Sequence, residues 1–225
     1  MIKGVIFDYN GTIFSDVDLN YEAWKIMYKD IVGNIEGYDE IYNYYGSTNN
    51  TLFLQELYRI SNKEYDLDLL NKQSFDKETI YHNICIEKNR HELAKGCDEF
   101  IKYLLDKGLK INLCTASIMY NVDFYFKNCN LDKYFDKSLV AYDYNNNTDK
   151  EELYKIACKN IGLDPSECLS VDDSVNSIND AIRAGIKNVI RINYTGKPKM
   201  DNKEIICEVK DFTEIDISKL NQILL

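Results

Sequence analysis

Apolar residues in this chain fall into two regimes. Val5-Ile6-Phe7, Ile111 to Cys114, Cys168 to Val171 and Val189 to Ile192 are short, largely apolar runs, the pattern of strands buried on both faces of a parallel sheet. Between the first two the character changes. Leu19, Ala23, Trp24, Met27 and Ile31 recur at helical spacing, as do Leu52, Leu54, Leu57 and Ile60, and then Ile80, Ile84 and Ile86. No strand pattern interrupts residues 17–91, so this stretch reads as an all-helical insert.

From about residue 92 strands and helices alternate. A helix over 97–107 closes at Gly108, and Ile111 to Cys114 follows. Next come a helix near 119–128, a strand near Ser138 to Ala141, and a helix over 150–161 ending at Gly162. Glycine just past a helix end is the usual stop signal. Asp164-Pro165 opens a turn, Cys168 to Val171 leads to a helix over 176–184 closed by Gly185, and Val189 to Ile192 follows. The tail holds Ile205-Ile206-Cys207 and an amphipathic end, Ile217 to Leu225, while Asn145-Asn146-Asn147 reads as a solvated loop. Alternating units of this length predict an α/β fold: a doubly wound, Rossmann-like parallel sheet built from residues 1–16 and 92–225. The insert, 17–91, forms a second domain of helices only.

Composition narrows the function. The chain has 225 residues, 45% of them hydrophobic, enough for a sizeable core. A formal charge of −10 disfavours nucleic acid and anionic membrane surfaces, both of which attract Lys and Arg. A phosphate can still be held locally, by a metal and a few placed donors. The seven cysteines are scattered, with no Cys-x-x-Cys pair and no His at zinc-site spacing, which fits a reducing compartment. The chain opens on a strand without a signal-peptide pattern, and no apolar run reaches the ~20 residues needed to span a bilayer. The expectation is a cytoplasmic protein, monomer or dimer.

In open α/β sheets, ligands bind beyond the carboxyl ends of the strands, and four segments sit at such places. They are Asp8-Tyr9-Asn10-Gly11-Thr12, Thr115-Ala116-Ser117, Lys150, and Asp172-Asp173-Ser174. Each has a plain structural explanation when taken singly. Asp8 could cap the next segment, Asp172-Asp173 could cap a helix, Thr115 and Ser117 could be ordinary strand-end residues, and Lys150 could be any surface lysine. Together they make a coherent site. Adjacent carboxylates in a crevice are costly without a cation, and with Asp8 they form an oxygen-rich set suited to Mg²⁺. Gly11 permits close backbone approach and Thr12 adds a hydroxyl beside exposed amides. A carboxylate at Asp8 can attack phosphorus, and Lys150 can neutralise charge on the transferring group.

These residues resemble the motifs of the haloacid dehalogenase-like hydrolases. Asp-x-x-Gly-Thr at 8–12, the hydroxyl at Thr115, the lysine, and Val-Asp-Asp-Ser at 171–174 with Ala184-Gly185 beyond it occur in the family's order. The likeness is greatest to the branch with beta-phosphoglucomutase and phosphoglycolate phosphatase. It implies a helical cap inserted after the first motif, Asp8 as nucleophile, and Mg²⁺ held by Asp8, Asp173, the Asn10 carbonyl and Asp172. It further implies phosphate contacts from Gly11, Thr12 and Ser117, and substrate contacts from the cap loop at Ser47, Thr48 and Asn49.

Departures from the family pattern carry information. The second Asp that normally follows the nucleophile by two positions, acting as acid and base, is Asn10 here. Mutases of the family carry a His where this chain has Asn20, and an Arg where it has Asn49; the lysine motif lacks its usual prolines. A sugar-phosphate mutase is therefore disfavoured. The expected function is a Mg²⁺-dependent phosphatase acting on a small phosphorylated metabolite. A weakly catalytic phospho-ligand binding or regulatory protein is the alternative. Dehalogenase chemistry is a third reading, and Asp172-Asp173 argues against it because that reaction needs no metal.

Overall fold

The computed structural model describes residues 1–46, 48–144 and 148–224. Ser47 and Asn145-Asn146-Asn147 lie outside the described residues, so neither the cap-loop role of the former nor the loop at the latter is addressed below. The chain divides into two compact units, residues 1–15 with 92–225, and residues 16–91.

The larger unit is the doubly wound α/β fold read from the sequence. Its sheet contains β1 (Gly4–Phe7), β2 (Lys110–Leu113), β3 (Cys168–Asp172), β4 (Asn188–Ile192) and β5 (Ile205–Val209). The order is β2-β1-β3-β4-β5, all pairs parallel, with Phe7 in register with Leu113 on one side and Val171 on the other. β1 and β3 are buried along their whole length, which is why their sequences are continuous rather than alternating. In this order the chain reverses its winding direction at β1, so a crevice opens at the carboxyl ends of β1 and its neighbours.

The expected strand at Ser138 to Ala141 is not one. Lys137–Leu139 forms a 3-10 turn, and only Ala141 makes a single parallel bridge, to Cys114. On the edge strand β2 the Asn112 side chain instead donates to the Leu139 and Ala157 carbonyls at 2.7 and 3.0 Å. The helices of this unit follow the predicted spans closely.

The smaller unit holds α1 (Val17–Val32), α2 (Tyr38–Tyr45), α3 (Asn50–Ile60) and α4 (Leu67–Glu87). The larger holds α5 (Cys97–Asp106), α6 (Met119–Cys129), α7 (Lys150–Asn160), α8 (Val175–Ala184) and α9 (Ile217–Leu224). The small unit has its own core of Trp24, Met27, Tyr38, Phe53, Leu54, Leu57 and Leu70, with Trp24 stacked on Phe53 at 4.2 Å between centroids. Sequence spacing placed Leu52 and Ile86 on inward faces, but they are 49% and 61% exposed. In α3 the buried face is Phe53, Leu54, Leu57 and Tyr58, because the aromatic rings cover more area than the leucine one position earlier.

A buried ion pair sits inside this small unit. Lys77 Nζ lies 3.2 Å from Glu78 Oε1 and donates to Asn20 Oδ1 at 2.6 Å, with the Trp24 and Tyr81 rings each 5.4 Å away. Removing one member of a buried pair strands the other charge. Lys77→Met should therefore destabilise the unit by about 3 kcal/mol, and adding Glu78→Gln should recover part of that loss. Trp24, the only tryptophan, makes fluorescence-detected denaturation the direct measurement; an unchanged midpoint for Lys77→Met would contradict the assignment.

Candidate active site

Asp8 leaves the end of β1 and is buried, its amide donating to the Val171 carbonyl at 2.9 Å. That bond ties the first loop to β3 at the residue before Asp172. Gly11 then turns with φ +73°, and a side-chain carbon there would stand 2.8 Å from the Asp173 carboxylate. The first loop can thus approach the fourth only as glycine. Thr12, fully buried, places its hydroxyl 3.4 Å from Asp8 Oδ2 and 3.3 Å from Asp173 Oδ1.

Asp8, Asp172 and Asp173 each bring a carboxylate oxygen within 4.8 Å of the others. Lys150, the first residue of α7, reaches in with Nζ 2.5 Å from Asp8 Oδ1 and 3.5 Å from Asp172 Oδ2. Asp149 supplies the helix cap by accepting from the Glu151 amide, which leaves Lys150 to point at the carboxylates. The electrostatics follow from burial. Desolvation pushes the Asp8 carboxyl up to about 8; Lys150 opposes this and the like charges of Asp172 and Asp173 add to it. Burial alone would lower the Lys150 ammonium, but the Asp172 and Asp8 carboxylates outweigh it and hold the group above its ordinary value.

The two adjacent acids differ in role. Asp172 is fully buried and its oxygens are occupied: Oδ1 accepts from the Ser174 amide at 2.9 Å, and Oδ2 from the Tyr154 hydroxyl at 2.5 Å and from the Ser177 hydroxyl. Neither acid is the helix cap, since Ser174 fills that position with its hydroxyl accepting from Ser177. Asp173 is only partly buried and faces Gly11 and Thr12. An all-oxygen set of three carboxylates, with a glycine where any Cβ would collide with one of them, fits a small hard cation such as Mg²⁺. Asp8 is buried against Lys150 and Thr12, Asp173 is partly buried, and Asp172 is held on both oxygens by its hydrogen bonds.

Ser117 and Asn10 are brought together directly. The Ser117 hydroxyl donates to Asn10 Oδ1 at 3.1 Å, and the Tyr125 hydroxyl donates to the same oxygen at 2.9 Å. Tyr125 is itself held by stacking on Tyr9, centroids 3.6 Å apart. Thr115 is buried, and its hydroxyl accepts from the Ser117 amide at 3.2 Å. Thr48 and Asn49 are used locally: the Thr48 hydroxyl donates to the Tyr45 carbonyl, and the Asn49 side chain caps α3 by accepting from Leu52. Sequence reading did not find Tyr125, Tyr154 or Ser177. Only Tyr154 carried a signal, standing one helical turn after Lys150 on α7.

Residues 2–185 match the haloacid dehalogenase-like hydrolase family. The chain belongs to that family. The HAD-like hydrolase is 30% identical over 201 residues to the candidate pyrophosphatase PpaX of Clostridium perfringens (strain 13 / Type A), covering 88% of this chain and 87% of that protein. It is 29% identical over 202 residues to the candidate phosphatase YhcW of Bacillus subtilis (strain 168), covering 84% and 83%. Its fold is that of a family IA, variant 3 HAD hydrolase from Entamoeba histolytica HM-1:IMSS, with a TM-score of 0.86, 24% identity and 99% of both chains covered. The α/β core with its helical cap is thus a phosphatase-type HAD scaffold. Among the described residues of the HAD-like hydrolase, no helix is long and apolar enough to cross a membrane.

Proposed function

We propose that the protein is a Mg²⁺-dependent phosphohydrolase of the cytoplasm, acting on a small phosphorylated metabolite through an aspartyl-phosphate on Asp8. The observation that carries this reading is the meeting of the Asp8, Asp172 and Asp173 carboxylates within 4.8 Å, with Lys150 against Asp8. When bound, Mg²⁺ supplies positive charge to phosphoryl oxygens and to the crowded carboxylates; Asp8, Asp173 and the Asn10 main-chain carbonyl would hold it.

In the first step an Asp8 oxygen forms a bond to phosphorus as the bond to the leaving oxygen breaks, and the leaving group departs with its electron pair. In the second, water bonds to phosphorus and the Asp8 oxygen is released as carboxylate, giving inorganic phosphate and a proton. Lys150 holds positive charge beside the transferring group in both. Gly11, Thr12, Thr115 and Ser117 would contact the phosphoryl oxygens.

Asn10 shapes the substrate class. An amide offers no ionisable proton, so the departing oxygen leaves unaided. Substrates whose leaving group is already a stable anion fit: phosphoanhydrides, acyl phosphates and aryl phosphates. The second reading, a phospho-ligand binding protein, rests on the same Asn10; retention of Asp8 with its lysine favours the enzyme.

Turnover of an aryl phosphate in Mg²⁺, lost in excess chelator, tests the proposal, and full activity in chelator would end it. Stability gives an independent readout. Asp8 has a folded-state value of about 8 against an ordinary 3.8, so between those limits the metal-free fold holds a proton that the unfolded chain releases. Its stabilising contribution is complete below about pH 4 and is lost as pH rises through about 8. Metal-free melting temperature should therefore fall across this window, less so in Asp8→Asn. Mg²⁺, competing with that proton, should raise it more at pH 8 than at pH 6. Equal Mg²⁺ shifts at both values would count against the site.

A further inference from the structure

The match to the family ends at residue 185, yet two side chains beyond it reach the site. We propose that Tyr194 and Arg191 are positioning residues, a brace from β4 and the turn after it that fixes the spacing of Asp8 and Asp173; this rests on the reading of those two carboxylates as the metal-holding pair.

Tyr194 acts on the first loop. Its hydroxyl donates to the Thr12 carbonyl at 2.8 Å. Thr12 is the residue whose own hydroxyl spans Asp8 at 3.4 Å and Asp173 at 3.3 Å. Holding the Thr12 peptide therefore holds a side chain that touches both acids. Arg191 acts on the fourth loop. It lies on β4 in register with Asp172, its side chain fully buried, and its Nε donates to the Asp173 carbonyl at 3.4 Å.

The other edge of that guanidinium anchors the brace. Nη1 donates to the Pro198 carbonyl at 2.9 Å and to Glu208 Oε2 at 3.1 Å, while Nη2 has no hydrogen-bond partner among the described residues. The position of the guanidinium is set by the edge that links the Asp173 peptide to β5 and to the connection. Asn193 completes the anchor, donating to Glu208 Oε1 at 2.9 Å and to the Lys197 carbonyl at 2.8 Å. The two loops are thereby both hydrogen-bonded to residues 191–194, and cation affinity depends on ligands held at fixed spacing.

The test compares Tyr194→Phe with Tyr103→Phe, which removes a similar tyrosine hydroxyl, bonded to Asn221 at 2.6 Å, in the same unit. Tyr194→Phe should raise the Mg²⁺ concentration for half-maximal turnover of an aryl phosphate about 10-fold, leave kcat at saturating Mg²⁺ little changed, and speed amide exchange across residues 8–15. Tyr103→Phe should do none of these. Arg191→Met should act the same way on exchange across residues 172–175. An active enzyme whose Mg²⁺ requirement is unmoved by Tyr194→Phe, or unmoved exchange in both loops, would overturn the brace. A wild-type protein that neither turns over phosphates nor shifts with Mg²⁺ would overturn the proposed function instead, and exchange alone would then decide the brace.

Discussion

Asp8→Asn is expected to abolish turnover and leave the fold intact. The amide matches the carboxylate in shape but cannot form the bond to phosphorus, so the loss should be roughly 10⁴-fold or more, as for other nucleophile removals. The fold should tolerate the change because the wild-type carboxylate is buried among like charges, a placement that already costs stability. Lys150 keeps a carboxylate partner in Asp172 at 3.5 Å. Steady-state turnover of an aryl phosphate, circular dichroism, and intact mass after substrate addition measure the three parts of the claim. A phosphoryl adduct should form on the wild type and be absent from the variant. An active Asp8→Asn protein would remove the nucleophile from Asp8.

Asn10→Asp should have the opposite sign and a selective target. General acid–base catalysis contributes about 10²–10⁴-fold, or roughly 3–5 kcal/mol. The site is prepared for the exchange. Ser117 and Tyr125 both donate to Asn10 Oδ1, and a carboxylate oxygen in that place would accept the same two bonds. The introduced acid should speed alkyl phosphates most, by up to ~10²-fold, since their leaving oxygen most needs a proton. Aryl phosphates should change little. On the proposed mechanism, water attack on the aspartyl-phosphate in the natural protein also lacks a base, so the adduct should accumulate, and Asn10→Asp should shorten its life. The decisive quantity is the aryl-to-alkyl rate ratio in the two proteins. If the ratio is the same, the leaving-group argument fails.

Much of the core was readable in advance because its strands are buried on both faces. Val5-Ile6-Phe7 and Cys168 to Val171 carry that burial in their composition, and the acids that follow them mark where the strands end. Gly108, Gly162 and Gly185 adopt φ of +75°, +68° and +110°, the backbone state that made them stop signals. Other features had no local signature. Ser138 to Ala141 reads as a strand, but Lys137–Leu139 forms a 3-10 turn, Asn112 donates to the Leu139 carbonyl, and a single bridge forms at Ala141. α2 was missed since Tyr-Asp-Glu-Ile-Tyr-Asn-Tyr-Tyr shows no clear apolar stripe; of its residues only Tyr38 is buried. In the site, strand-end position announced Asp8 and Asp172, whereas Tyr125, Arg191 and Tyr194 act through contacts made only once distant segments meet. Asp172 was readable as a metal ligand and not as an anchor, because Tyr154 and Ser177 reach it from two different helices.

The pairing of β1 has a consequence for how the chain comes off the ribosome. The strand that leads into Asp8 is among the first segments made, yet its hydrogen-bonding neighbours are residues 110–113 and 168–171. Until both emerge, Val5, Ile6 and Phe7 have no sheet to join. Residues 16–91, by contrast, are one continuous stretch with a core of their own around Trp24, Phe53 and Leu57, so they can close while the rest is still being synthesised. Nascent chains stalled before residue 168 should then show a protected helical segment flanked by protease-sensitive ends. The opening strand, waiting exposed for the longest time of any segment, is where a slowed ribosome would leave this protein most open to aggregation.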